Sequence, residues 1–157
     1  MDISDINLVL LKNIDRDIYL EILNILEIRS DAFAVIQPLR NCWEDVEYND
    51  FDIVKQLMHF HIKSDRVSKY EGRKKHIIHT QRRKKLPDNR HLFYCCNESI
   101  AILKSYHSFT QIREKEGEVD FSFFKDGCVI FTTIIHENMY LGDQKLFNNL
   151  LYKKDSK

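Results

Sequence analysis

A β-hairpin is the feature of this sequence that most constrains its fold. The stretch VDFSFFKDGCVIFTTII, residues 119–135, holds two apolar runs joined by Asp126-Gly127. Asp-Gly forms two-residue hairpin turns because both residues tolerate positive φ. The sequence therefore predicts two antiparallel strands here. The predicted register has two cross-strand pairs near the turn, Phe123–Ile130 and Phe121–Thr132.

The two strands differ in their expected burial. The second strand is apolar on both faces, which is typical of a central strand buried on both sides. The first strand alternates apolar and polar residues over Val119, Asp120, Phe121 and Ser122. That alternation predicts a half-exposed position.

The first third of the chain has a helical period. Apolar residues recur three and four positions apart over Ile18, Ile22, Ile25 and Leu26. We expect a second helix with Asn49 as its N-cap. Its apolar stripe would hold Phe51, Val54, Leu57, Met58 and either His61 or Ile62.

The rest of the chain mixes strands, turns and helices. The pattern predicts a strand at RKKHIIHTQRR, a turn over Leu86–Asn89 and a strand at HLFYCC. A helix capped by Asn97 follows. Beyond the hairpin we expect a chain reversal at Glu137-Asn138 and a helix from about Asp143 to Tyr152.

These elements predict an α+β fold. Residues 1–157 would form a single domain, with N-terminal helices followed by a small antiparallel sheet and interspersed and C-terminal helices. The composition agrees, because 43% hydrophobic and 31% charged residues are ordinary for a globular protein. No apolar run reaches the roughly 20 residues of a membrane helix, and the N-terminus lacks the pattern of a secretory signal. The four cysteines follow no disulfide framework, so we expect reduced thiols and a cytoplasmic protein.

The formal net charge of zero hides a separation along the chain. Residues 1–57 carry twelve acids and five bases, whereas residues 63–91 carry eleven bases and three acids. A chain with this distribution has an acidic part and a basic part.

No catalytic or metal-binding pattern is found, so we expect neither an enzyme nor a bound cofactor. His59 and His61 would point away from each other on the predicted helix, and His76 and His79 would lie on opposite faces of a strand. Metalloprotease, zinc-ribbon, nucleophile-elbow and phosphate-loop motifs are missing from the sequence.

The basic part has three interpretations. Its cations could bind the phosphates of a nucleic acid, protect an exposed sheet edge or form a nuclear import signal. The candidate nucleic-acid-binding residues within segment 73–90 are Arg73, Lys74, Lys75, Arg82, Arg83, Lys84, Lys85 and Arg90. We favour edge protection.

The acidic part combines carboxylates with aromatic residues in the stretch NCWEDVEYNDFD. Such a stretch can mimic the charge of a nucleic acid and dock on a basic protein surface, with the aromatic residues as buried anchors. It can also be simply a well-capped helix start. The candidate partner-binding residues are Trp43, Glu44, Asp45, Glu47, Tyr48, Asp50 and Asp52.

In general character the chain resembles the immunity proteins encoded beside bacterial contact-dependent toxins. The resemblance lies in NCWEDVEYNDFD and in the hairpin VDFSFFKDGCVIFTTIIHENMYLG. It implies a non-enzymatic inhibitor that binds a cognate toxin domain, often a nuclease, and occludes its active site. The basic part departs from this class, since an inhibitor of nucleases needs acidity. The alternative function is nucleic-acid binding through segment 73–90.

Overall fold

The structure is a computed structural model that describes residues 7–38, 51–67, 88–116, 119–134 and 137–155. Its strands are β1 (Leu8–Leu11), β2 (Ala32–Pro38), β3 (His61–Val67), β4 (Asp88–Tyr94), β5 (Asp120–Lys125), β6 (Cys128–Ile134) and β7 (Met139–Asp143). Its helices are α1 (Arg16–Arg29), α2 (Asp52–Leu57), α3 (Asn97–Lys104), α4 (Phe109–Glu116) and α5 (Gln144–Asp155). The predicted α+β class is confirmed.

All seven strands join one antiparallel sheet in the order β1-β7-β6-β5-β2-β4-β3. The sheet is larger than the small one that the sequence predicted. The additional strands are β1, β2 and β3, which lie before residue 68 where only helices were expected, and β7, which follows the predicted chain reversal. Of the predicted N-terminal helices, α1 is confirmed, and the Asp15 carboxylate caps it by accepting from the Ile18 amide at 2.9 Å.

The Asp-Gly hairpin is confirmed. Asp126 and Gly127 have φ values of 51° and 81°, as the predicted turn requires. The predicted register holds for the two pairs beside the turn, Lys125–Cys128 and Phe124–Val129. Both of the named pairs are wrong, because a bulge intervenes between Phe123 and Phe124, and Thr132 lies opposite Ser122 in place of Phe121. Phe123 therefore lies opposite Phe131 in place of Ile130.

The expected half-exposure of the first hairpin strand is wrong. This strand, β5, is the middle strand of the sheet, with Phe121, Ser122 and Phe123 all buried. Ser122 is accommodated because its hydroxyl lies 2.8 Å from that of Thr132 on β6. The second strand, β6, lies between two neighbours and is largely buried, as predicted.

The second predicted helix is shorter than expected and begins later. It covers Asp52–Leu57, its N-cap is Phe51 in place of Asn49, and a single 3₁₀ turn follows. His61 and Ile62, predicted at its end, belong to β3. Met58 is exposed, so the predicted apolar stripe ends at Leu57.

The middle of the chain corrects two further boundaries. The predicted turn over Leu86–Asn89 is wrong for its last two residues, because Asp88 and Asn89 belong to β4. Leu86 and Pro87 lie outside the described residues. The cap of α3 is Cys96 in place of Asn97, with the Cys96 amide donating to the Ser99 hydroxyl at 2.9 Å. The strand at HLFYCC is confirmed as far as Tyr94, whereas the predicted strand at RKKHIIHTQRR lies outside the described residues.

The C-terminal elements follow the sequence pattern. The chain reverses at Glu137-Asn138, where Asn138 has a φ of 54°, and β7 then pairs with β6. Asp143 caps α5 by accepting from the Leu146 amide at 3.2 Å.

The core lies between the helices and one face of the sheet. Aromatic side chains on that face contact one another, with Phe33 stacked on Phe123 at a centroid distance of 5.0 Å. Phe109 of α4 covers Phe131 at 5.7 Å. Tyr19 of α1 is fully buried and its hydroxyl donates to the Leu103 carbonyl of α3; burial raises its pKa. Each such aromatic pair stabilises the fold by about 0.5–1.5 kcal/mol beyond the contribution of the apolar area that it buries.

Candidate partner-binding end of the sheet

Three neighbouring strands terminate in one row at one end of the sheet. Pro38, the last residue of β2, pairs with Asp88, the first of β4, and Asp88 also pairs with Val67, the last of β3. Adjacent strands lie about 4.8 Å apart, so these three backbone positions span about 10 Å. We call this row the segment end. Two charged segments meet it: residues 39–50 begin after Pro38, and residues 68–87 begin after Val67 and end before Asp88.

The first of these segments, residues 39–50, is the acidic segment. Its two ends are held together by the described residues, since the Phe51 amide donates to the side-chain carbonyl of Gln37 at 3.1 Å. Gln37 is fully buried in β2, so this bond lies on a fixed part of the sheet. Six of the seven candidate partner-binding residues fall in this segment and lie outside the described residues, namely Trp43, Glu44, Asp45, Glu47, Tyr48 and Asp50.

The second segment, residues 68–87, is the basic segment, with eight bases and one acid. Its ends are also held together, because Val67 and Asp88 are direct partners across β3 and β4. Most of the candidate nucleic-acid-binding residues fall in it and lie outside the described residues, namely Arg73, Lys74, Lys75, Arg82, Arg83, Lys84 and Lys85. The acidic segment thus starts from β2 beside Asp88 of the adjacent strand β4, where the basic segment ends.

Asp52 is the one predicted partner-binding residue that the structure describes. It is exposed in the first turn of α2, where a carboxylate interacts favourably with the helix dipole. Its carboxylate also accepts from the Gln56 side-chain amide at 3.1 Å, one helical turn later. These contacts stabilise the start of α2 and leave the carboxylate on the surface beside the acidic segment.

Arg90 is the one predicted nucleic-acid-binding residue within the described part of the chain. Its guanidinium forms two hydrogen bonds with the Asp65 carboxylate across β3 and β4, at 3.1 and 2.9 Å. This pair holds the pKa of Asp65 below its ordinary value. A phosphate could contact Arg90 fully only by replacing a bidentate salt bridge.

A chain of three polar side chains on the same two strands was missed by sequence reasoning. The Ser64 hydroxyl lies 2.6 Å from Nε2 of His61 and 2.7 Å from Nδ1 of His91. Ser64 and His91 are register partners, and the bulge at Ile62 turns His61 toward the same face. The hydroxyl can accept from one imidazole and donate to the other. This bridge ties the edge strand β3 to β4.

No sequence signal indicated this arrangement, because His61 and Ser64 were expected to belong to a helix or to follow it. Their meeting with His91 depends on pairing across the basic segment. Within the described ranges, no three side chains of His, Cys, Asp or Glu are grouped closely enough to hold a metal ion.

The cysteines of the described residues, Cys95, Cys96 and Cys128, form no disulfide. Burial raises the pKa of Cys95 to about 12, and its Sγ lies 3.5 Å from the Leu26 carbonyl oxygen. A thiol with such a pKa is protonated at neutral pH and is a poor nucleophile.

None of the helices in the described part of the chain is long and apolar enough to cross a membrane. No protein-family model, curated protein or solved structure matches the chain.

Proposed function

We propose that the protein acts by binding, as a non-enzymatic inhibitor of the toxin-immunity class that neutralises a cognate bacterial toxin. The observation that carries the proposal is the anchoring of the acidic segment. The hydrogen bond from Phe51 to the buried Gln37 holds both ends of this segment on the core strand β2. An interaction surface whose ends are fixed loses less conformational entropy when it binds.

In this proposal the aromatic residues of the acidic segment supply the binding energy. Trp43 and Tyr48 would fill pockets on the partner, since Trp and Tyr are enriched among the residues that dominate interfaces. The carboxylates of Glu44, Asp45 and Glu47, with Asp50 and Asp52, would pair with Lys or Arg at the toxin's substrate site. Removing one side of a fully desolvated pair costs about 2–5 kcal/mol.

Nucleic-acid binding through the basic segment is the second candidate. It is favoured by the concentration of eight bases in a segment whose two ends are held together by the Val67–Asp88 pair. Neutralising several phosphates would give an affinity that falls steeply with salt. The bidentate Asp65–Arg90 salt bridge counts against a contribution from Arg90.

The first prediction separates the two candidates. The variant Glu44→Lys, Asp45→Lys, Glu47→Lys is compared with the native chain as bait in a nuclease-treated lysate of the native host. We expect the native chain to retain one protein in stoichiometric amount and the triple variant to lose it, because the reversed charges repel the partner's cations. The retained protein, expressed alone, should arrest growth, and co-expression of the native chain should restore it.

The matched control applies the same change in charge elsewhere. Asp17, Glu98 and Glu137 are exposed acids on elements other than β2, β3 and β4, and their reversal to lysine should leave capture and protection intact. Protection by the Glu44, Asp45, Glu47 variant would contradict the proposal. Loss of all retained material on nuclease treatment would support the second candidate.

A further inference from the structure

The two edges of the sheet differ in how they are protected. The edge strand β3 carries a bulge at Ile62, an exposed Lys63 and the Asp65–Arg90 ion pair, all features that discourage pairing with another strand. The other edge strand, β1, has the sequence LVLL and carries no charge. Among the described residues, β7 is the only strand that pairs with it.

Within the described part of the chain, the backbone groups on the outer side of β1 pair with no other strand. The Gln144 amide donates to the Asn7 carbonyl at 2.8 Å, in continuation of the β1–β7 register. In an antiparallel pair, hydrogen-bonded residues alternate with residues whose N–H and C=O point the other way. Val9 and Leu11 therefore bond to β7, whereas Leu8 and Leu10 direct their amides and carbonyls away from the sheet.

The side chains of Leu8 and Leu10 are also at least partly accessible. Leu11 belongs to the core on the helix-covered face, so Leu8 and Leu10 lie on the opposite face, beside Leu141 of β7. Leu10 is 41% exposed. An outer strand with outward-directed backbone groups, an exposed Leu10 and a half-buried Leu8 is suited to pairing with another β-strand.

We propose that the strand that pairs with β1 is β1 of a second copy of the chain. The two β1 strands would run antiparallel, with a two-fold axis between the two Val9 residues. Leu8 of each copy would then lie opposite Leu10 of the other. This register uses the outward N–H and C=O groups of both residues in both copies, giving about four hydrogen bonds. The two sheets would join into one continuous sheet.

Self-pairing fits β1 electrostatically as well as geometrically. A two-fold axis brings identical residues together, and like charges across it would repel. The four residues of β1 are uncharged, and the nearest described charge along the chain is Lys12. In the proposed register the two Lys12 residues would be roughly 20 Å apart, beyond the screening length of about 8–10 Å at physiological salt.

The test is the oligomeric state of the purified full chain. Sedimentation equilibrium at concentrations up to about 100 µM should give twice the monomer mass of 18.8 kDa. Leu10→Lys places like charges close to the axis and should give the monomer mass. Leu10→Pro removes one outward N–H without touching the bonds to β7, and it should have the same effect.

Ile28→Lys is the matched control, because it makes the same substitution type at a residue of α1 that is 78% exposed. This variant should remain a dimer. Circular dichroism establishes that each variant is folded. Amide hydrogen exchange adds a readout on the native chain: exchange at Leu8 and Leu10 should slow about tenfold from dilute to concentrated protein, while Val9 and Leu11 stay unchanged.

A native chain that sediments as a monomer throughout would overturn the proposal, and so would a Leu10→Lys variant that remains dimeric. Concentration-independent exchange at Leu8 and Leu10 would overturn it too. Pairing of β1 with a strand of a different protein would appear as a monomer here. None of these measurements needs the toxin, so they are independent of the proposed function.

Discussion

At Gly142 the packing of β7 against α5 leaves room for a hydrogen atom only. A Cβ at this position would lie 2.6 Å from Cδ2 of Phe147 and 3.2 Å from Cδ1 of Leu11. Phe147 is fully buried, so its ring has no open space to move into. The small residue at 142 therefore sets the distance between helix and sheet beside the β1 edge.

Gly142→Ala should lower the free energy of unfolding by about 1–3 kcal/mol, because it overpacks this contact. The measurement is urea unfolding followed by circular dichroism. Gly127 provides the contrast, since nothing lies within 4 Å of its would-be Cβ and only its φ of +81° disfavours a side chain. Asparagine tolerates positive φ, so Gly127→Asn should cost little, whereas Gly142→Asn should cost more than Gly142→Ala. Equal costs for asparagine at both positions would contradict this explanation.

At the scale of elements, the β3–β4 pair is joined by side chains as well as by its backbone. The Asp65–Arg90 salt bridge lies on one face and the His61–Ser64–His91 bridge on the other. Lys63 and His91 also act on the Asp65 carboxylate electrostatically. These contacts fix the strands that carry the two ends of the basic segment.

The salt bridge predicts a dependence of stability on pH. The pKa of Asp65 is lower in the folded protein than its ordinary value of 3.8, so its contribution is present above that value and is lost as pH falls through the folded-state pKa. In a double-mutant cycle of Asp65→Asn and Arg90→Gln, we expect a coupling of about 0.5 kcal/mol at pH 7, since both groups are partly exposed. The coupling should shrink by pH 3. A coupling unchanged between the two pH values would contradict the assignment.

The elements also differ in how far the sequence predicted them. The hairpin, α1 and α5 were predicted because their signals are local: an Asp-Gly turn and apolar residues three and four positions apart. β2 was missed because its residues 33–37 are buried on both faces and show no alternation of apolar and polar side chains. β3 was missed because HIKSDRV is polar and becomes a strand by pairing with β4 beyond the basic segment. The charged segments were visible in the composition, but their adjacency depends on strand order.

At the scale of the whole molecule, the acidic segment and the basic segment do not start from opposite ends of the sheet. Pro38, Asp88 and Val67 lie in one row, so both segments leave the sheet there. The proposed β1 interface is on the opposite edge of the sheet, six strands away from β3. Dimerisation through β1 would leave the segment end of each copy accessible to a partner.

Replacing residues 68–87 by Asn-Gly should therefore leave the sheet intact. Shortening this connection lowers the entropy cost of closing it by about 2 kcal/mol, so we expect equal or higher stability in urea. Capture of the protein partner should persist under the proposed function, whereas nucleic-acid binding should disappear under the alternative. A replacement of the same length made of Gly and Ser separates the loss of charge from the change in length. An unfolded Asn-Gly variant would contradict this account of the β3–β4 pair.

The pairing of Val67 with Asp88 has a practical consequence for protein engineering. Directly paired residues hold their Cα atoms about 4.5–5.5 Å apart. A foreign peptide whose ends meet at that separation can be grafted between them without a change in strand register. Epitopes, reporter tags or cyclised recognition loops could then be displayed beside the acidic segment on a scaffold whose own core is left untouched.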